Sequence, residues 1–213
     1  MKASRNPFDQ AQIAAGYETW YTTVGQRADR LEKALLKELL ARFPTAETIL
    51  EVGCGTGHFT RWFEDLELKV VGLDLSMVML KEAIRKEGPM VLQGDAHCLP
   101  FEDHSFEIVA LITTLEFLQE PALALKEAQR VAQKGLLLGT INRTSWIGRE
   151  YRCQGGVLWE SAKFLSPGEL VDIMKLSGVK KSKLFWKTTL WRWFPWALPL
   201  PRGGFIGMAV RLD

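Results

Sequence analysis

The sequence predicts an α/β protein: a doubly wound, mostly parallel sheet of seven strands with helices ahead of it. Two observations carry that expectation. Between residues 48 and 178, short apolar runs rich in branched residues alternate with amphipathic segments, the pattern of a parallel sheet covered by helices on both faces. The first of those runs passes directly into "GCGTG", three glycines in five positions where the next helix is about to start. Glycine in a strand or turn costs conformational entropy, so the cluster marks backbone that takes unusual angles or meets a close neighbour.

In chain order, residues 8–22 place Ile13, Tyr17, Trp20, Tyr21 and Val24 at helical spacing, and 26–42 repeat the pattern through Leu31, Leu35 and Leu39. "TILEVG" (48–53) reads as a buried strand, "HFTRWFEDL" as a helix and "KVVGLD" (69–74) as the second strand. A helix over 77–88 stops at Gly88-Pro89. "MVLQGD" (90–95) and "FEIVALI" (106–112) are the third and fourth strands. Pro121 opens a helix over 121–133, and "GLLLGTIN" (135–142) is the fifth strand. Ser166 as N-cap, Pro167 at the first helical position and Gly178 as C-cap bracket a helix over 166–178. Strand-like stretches near 180–187 and 204–212 bring the count to seven.

The chain has 213 residues, 47% hydrophobic and 24% charged, an ordinary globular composition with enough length for one sizeable core. No apolar run approaches the ~20 residues of a membrane span, and "MKASRNPFDQ" has no apolar signal core. Cys54, Cys98 and Cys153 are odd in number and far apart, which suits free thiols and a cytoplasmic location. The net charge of +2 is uneven, since residues 173–212 hold eight basic residues and no acidic one.

Ligands of open parallel sheets bind at the C-terminal strand ends, where strand order reverses. Gly53, Gly55 and Gly57 lie at such an end, which gives them a chemical reading: backbone amides and a helix start facing a ligand with no side chains in the way. A dinucleotide fingerprint counted from Gly53 needs glycine at 58, where this chain has His58. The third glycine comes one residue earlier, and Glu51 precedes the first by two. "EVGCGTG" is similar in every position to the first motif of the class I S-adenosylmethionine-dependent methyltransferases. The resemblance to that family runs from about residue 8 to 178.

The resemblance implies a Rossmann-like fold, S-adenosylmethionine as cofactor, and methyl transfer to a small molecule, as in the ubiquinone and menaquinone biosynthesis type. It implies one domain over 1–213, with a helical lid (1–46), a cofactor-binding half (47–142) and a substrate-side half (143–213). Cofactor contacts are then expected from Tyr17 and Tyr21 in the lid and from Glu51, Gly53, Cys54, Gly55, Thr56 and Gly57 in the first motif. Asp74, 21 residues after Gly53 at the end of the second strand, suits both ribose hydroxyls. Leu75, Ser76 and Met77 follow it on the adenine side, and Gly94, Asp95 and Ala96 carry a carboxylate for the adenine amino group. Thr113 and Thr114 stand where the methionine part meets the acceptor. Glu116 and His97 are the candidate general bases, for an acceptor hydroxyl or protonated amine. Similar enzymes often have a histidine around the position of Glu116, which also reads as a cap for the next helix. His97, like His104, reads more readily as a surface loop residue than as a base.

Other readings find less support. No Cys/His spacing matches a zinc site, and no metal is expected. The Asp/Asn-Pro-Pro-Tyr motif of amino-methylating DNA enzymes is missing after the fourth strand, which disfavours nucleic acid. Arsenite methyltransferases share this fold, but His97-Cys98 has no partner motif. A cofactor-binding partner subunit without turnover would share the first motif and lack an acceptor-sized pocket. Monomer and homodimer both fit. The segment "LFWKTTLWRWFPWALPLPRGG" (184–204) sets Trp186, Trp191, Trp193, Phe194 and Trp196 among three prolines. It reads as a packed flap or dimer contact, or as a surface that receives an apolar or anionic acceptor, with peripheral membrane contact as a branch. Residues 144–164 form the opposite wall in that second reading.

Overall fold

Strands buried on both faces set the sheet. In strand β1 (Thr48–Val52), Ile49 faces one side and Leu50 the other, and both are fully buried. The other strands are β2 (Lys69–Asp74), β3 (Met90–Gln93), β4 (Phe106–Ile112), β5 (Ala132–Ile141), β6 (Leu184–Thr189) and β7 (Phe205–Arg211). They pair in the order β3-β2-β1-β4-β5-β7-β6 in this computed structural model, which describes residues 6–179, 183–190 and 196–212. The first five are parallel to one another, and β7 is antiparallel to both β5 and β6. Strand order reverses between β1 and β4, so their C-terminal ends border the expected crevice.

Helices cover both faces. One face packs Leu35, Leu36 and Leu39 of α3 (Gln26–Leu40) and Phe59 and Phe63 of α4 (His58–Asp65) on Ile49, Ile108 and Phe205. The other packs α6 (Pro121–Val131) and α9 (Pro167–Leu176) on Leu50, Val109, Leu136 and Met208. Ser166 caps α9 as expected, in a capping box with Glu169. Helix α5 (Met77–Arg85) stops before Gly88, and α6 ends at Val131 because Ala132 already pairs with Phe106 of β4.

One expectation needs correction. Residues 8–22 are not one helix. A 3₁₀ turn (Pro7–Asp9) is followed by α1 (Ala11–Gly16) and α2 (Thr19–Thr22), and Val24 is 81% exposed rather than in line with Tyr17 and Tyr21. Trp20 lies flat over Gly25, where a Cβ would come within 2.3 Å of the indole, and this turns the chain into α3. Among its described residues, the 184–204 segment packs along the sheet edge. Its first six residues are the edge strand β6, with Trp186 opposite Met208, and Leu198 returns to exchange backbone hydrogen bonds with Thr188 at 2.8 and 2.9 Å. Trp191, Trp193, Phe194 and Pro195 lie outside the described residues. No helix among the described residues is long and apolar enough to cross a membrane.

Candidate active site

The glycine cluster after β1 turns the chain with left-handed backbone at all three positions: φ is +77° at Gly53, +54° at Gly55 and +78° at Gly57. A Cβ on Gly53 would lie 2.4 Å from Cγ2 and Oγ1 of Thr114, whose hydroxyl donates to the Val52 carbonyl at 3.1 Å. The turn brings the Gly55 N–H to Oδ2 of Asp74 at 2.8 Å, while the Ser76 N–H donates to Oδ1 at 2.8 Å. Asp74 is thus fixed at the end of β2 by two amides. Burial pushes its pKa up, and those same amides oppose the rise.

A cavity of about 700 Å³ opens beside this turn. Gly53, Cys54, Gly55, Asp74 and Leu75 form one wall, and Gly94, Asp95, Ala96 and His97 another. Glu51, Thr113 and Thr114 lie along its floor side, with Tyr17 and Tyr21 from the N-terminal segment. Glu51 accepts from Thr60 Oγ1 at 2.6 Å, and burial raises its pKa to about 8. Burial also pushes the Cys54 thiol well up, so it is a packed thiol rather than a nucleophile. Asp95 bonds His97 through both the backbone N–H at 2.9 Å and Nδ1 at 2.6 Å, which leaves His97 Nε2 buried without a partner.

Several expected residues stand elsewhere. Thr56 is buried with its hydroxyl turned to Glu18, and Gly57 packs against Arg61 and Ala83. Ser76 caps α5 and donates to the Phe8 carbonyl at 2.9 Å, and Met77 is 42% exposed. None of these four lines the cavity, whereas Met79, Phe8 and Phe117 do. Glu116 lines no cavity wall either. A 3₁₀ turn, Leu115–Phe117, swings Phe117 outward and Glu116 into the core, where Oε1 accepts from the Ile141 N–H at 3.3 Å and Oε2 has no partner. Among the described residues no group of three His, Cys, Asp or Glu side chains is placed to hold a metal.

A second cavity, of about 360 Å³, adjoins the first. Both are bordered by Tyr17, Tyr21, Thr113 and Phe117. Thr113 is a β-branched residue held at φ +50°, an uncommon conformation that often marks functional sites. The outer wall comes from α7 (Trp146–Gln154) and α8 (Val157–Ser161), with Tyr151 stacked on Trp159 at 4.4 Å and 3°. From the 184–204 segment only Leu190 and Gly204 reach it among the described residues. One lining residue went unseen in the sequence: Glu32, 5% exposed, on the buried face of α3. Its signal was there, as a carboxylate set among Leu31, Leu35 and Leu36.

Residues 50–138 match the family model described as a methyltransferase domain. The chain is 32% identical to a Thermotoga maritima protein of known structure, described as a SAM-dependent methyltransferase and possible histamine N-methyltransferase. That match has a TM-score of 0.81 and covers 95% of this chain and 98% of that one. This chain belongs to the S-adenosylmethionine-dependent methyltransferases. An uncharacterized protein of Methanocaldococcus jannaschii is 32% identical over 84% of this methyltransferase and 83% of its own length. The demethylmenaquinone methyltransferase of Renibacterium salmoninarum is 32% identical over 58% of this chain and 52% of that enzyme, so the match spans about half its length. S-adenosylmethionine is the cofactor, and the larger cavity fits it. There Asp74 and Asp95 offer carboxylate acceptors along the wall, and His97 Nε2 is a buried polar atom without a partner.

The N-terminal segment of the methyltransferase is latched over both cavities. Glu18 accepts from Thr56 Oγ1 at 2.5 Å, Arg61 Nη2 at 2.8 Å and Lys86 Nζ at 2.9 Å. Burial alone would raise its pKa, but these donors hold it below the ordinary carboxylate value. Tyr21 stacks on His58 at 3.9 Å, and His58 Nε2 lies 2.7 Å from Asp29. Glu18→Ala is expected to speed amide exchange over residues 8–24 about tenfold, equivalent to the ~1.4 kcal/mol of one charge-assisted hydrogen bond. Hydrogen-exchange mass spectrometry checks this, and unchanged exchange would assign the latch to the aromatic contacts instead.

Three buried carboxyls give the fold a pH dependence. Burial raises Glu32 and Glu51 to about 8 and Glu116 to about 7, from an ordinary 4.5. Between those values the folded state keeps protons that the unfolded chain has lost, so stability falls as pH rises. Glu107, held down to about 2 by Lys134, favours the ionised fold throughout that range and adds no slope. The ligand-free protein should therefore melt at a higher temperature at pH 5 than at pH 8, and Glu32→Gln should flatten the difference. A melting temperature that rises from pH 5 to pH 8 would contradict this.

Proposed function

We propose that this methyltransferase acts on a small-molecule acceptor held in the 360 Å³ cavity, with the cofactor in the larger one. The observation that carries the reading is that two cavities of ligand size meet at Tyr17, Tyr21, Thr113 and Phe117. Asp74 would receive the ribose hydroxyls, Asp95 the adenine amino group, and the Gly53–Gly55 backbone the close approach of the cofactor. S-adenosylmethionine, when bound, supplies a methyl group activated by its positive sulfur. What remains for the chain is to align the acceptor, exclude water and keep the two ligands in register. The latched N-terminal segment and the stacked Tyr151–Trp159 pair suit that task, because both border the acceptor cavity. His97 lines only the larger cavity, so its position does not suit a base acting on this acceptor. The Thermotoga relative is described as a possible histamine N-methyltransferase, and an amine of that kind suits a cavity of this size.

The test is incubation with isotope-labelled S-adenosylmethionine and a fractionated metabolite extract. Label should enter a small molecule, and Tyr151→Ala should weaken transfer while S-adenosylhomocysteine affinity stays within about twofold. Label confined to macromolecules would overturn the reading, as would a Tyr151→Ala that loses cofactor affinity and transfer together.

A further inference from the structure

We propose that Glu32 is the acceptor-recognition residue of the smaller cavity and that it selects a cationic amine. This rests on the reading of that cavity as the acceptor site and names the class of acceptor. Glu32 reaches the cavity from α3, and its carboxyl is influenced by burial and by the charges of Asp29, Glu116 and Lys33, with no hydrogen bond among the described residues. The adjacent cation is committed elsewhere, since Lys33 pairs with Asp29 at 3.0 Å and lies 5.7 Å from the Phe59 ring. Its carboxyl opens onto the cavity rather than being sealed in the core, and a charge in so apolar a place is costly until a ligand pairs with it. Its surroundings suit one kind of ligand. Trp20, Tyr17, Tyr21, Tyr151 and Trp159 present aromatic rings to the same cavity, and ring faces attract cations.

Charge argues the same way. Facing Glu32 are Tyr21 of α2, Asp29 and Lys33 of its own helix, Glu116 behind the wall and Tyr151 of α7. Glu116, buried in the core behind the wall, adds a second carboxyl within electrostatic reach of Glu32. No Lys or Arg is among the described lining residues. The anionic acceptor anticipated from the basic C-terminal sequence therefore has no counter-charge there. The ligand-free protein keeps a proton on Glu32 at neutral pH, because burial raises its pKa to about 8. An ammonium ligand restores the carboxylate and releases that proton to solvent.

Three compounds of one shape and different charge test the assignment: choline, 3,3-dimethylbutan-1-ol and 3,3-dimethylbutanoate. Each is titrated calorimetrically into the full chain saturated with S-adenosylhomocysteine, in two buffers of different ionisation heat. Choline should bind at least about tenfold more tightly than the alcohol, with proton release, and the acid most weakly. Glu32→Gln, which removes only the charge, should shrink that preference to about twofold while S-adenosylhomocysteine affinity is unchanged. The alcohol binding as well as choline, or none of the three binding at millimolar concentration, overturns the cation assignment and leaves the methyl-transfer reading standing. Tyr151→Ala with unchanged binding of all three would bring down the acceptor-cavity reading as well. The parent comparison needs no variant, so a failure of Glu32→Gln to fold would not protect the proposal.

Discussion

Asp74→Ala should weaken S-adenosylhomocysteine binding about 100-fold, ~2.7 kcal/mol. The carboxylate organises two amides, those of Gly55 and Ser76, at 2.8 Å each, and in our reading it also receives the ribose hydroxyls. Its removal leaves several donors short of a partner, at ~1–3 kcal/mol for each that is buried. Asp74→Asn, which keeps one acceptor oxygen, should fall between parent and alanine. Adenosine analogues without ribose hydroxyls should bind Asp74→Ala and the parent alike. If the alanine variant still discriminated fully against them, the ribose anchor would lie elsewhere.

Gly53→Ala should cost the fold itself ~2–5 kcal/mol, combining overpacking with left-handed backbone on a residue that has a Cβ. The added methyl would sit 2.4 Å from two side-chain atoms of Thr114, at φ +77°. For a chain of this size the melting temperature should drop by about 10 °C. The double variant Gly53→Ala/Thr114→Ala should recover part of the loss, since the two atoms at 2.4 Å are gone and only Cβ, at 2.9 Å, remains. Simple additivity of the two single losses would show that the clash is not the cause.

What the sequence made legible follows from the range of the forces involved. The sheet was readable because most of its strands are short, continuously apolar runs and its helices bury one residue in every three or four, patterns written locally. The cofactor turn was readable because left-handed backbone at Gly53, Gly55 and Gly57 demands a particular residue type. Positions set by rotation around a short turn were not. Glu116 and Phe117 are adjacent, and only the 3₁₀ geometry after β4 decides that Phe117 meets the ligand space and Glu116 the core. Thr56 and Ser76 carry motif positions but spend their hydroxyls on Glu18 and Phe8, partners 38 and 68 residues away. Glu32 was hidden for a related reason. A charged residue in a helix ordinarily faces water, and its burial depends on an aromatic wall contributed by α7 and α8, more than a hundred residues later.

The position of β7 has a consequence for how the chain is made. It is the last strand in sequence, yet it is inserted between β5 and β6, with Phe205, Ile206, Met208, Ala209 and Val210 wholly buried. A ribosome releases residues in order, so β5 waits with a bare edge while everything up to β6 is synthesised. An unpaired edge is a template for foreign strands, and such non-local pairing forms slowly. Newly made chains should therefore lean on chaperones until residue 211 has emerged. A stop codon that removes only this strand would separate β6 from the sheet and leave the nascent domain aggregation-prone rather than merely shortened.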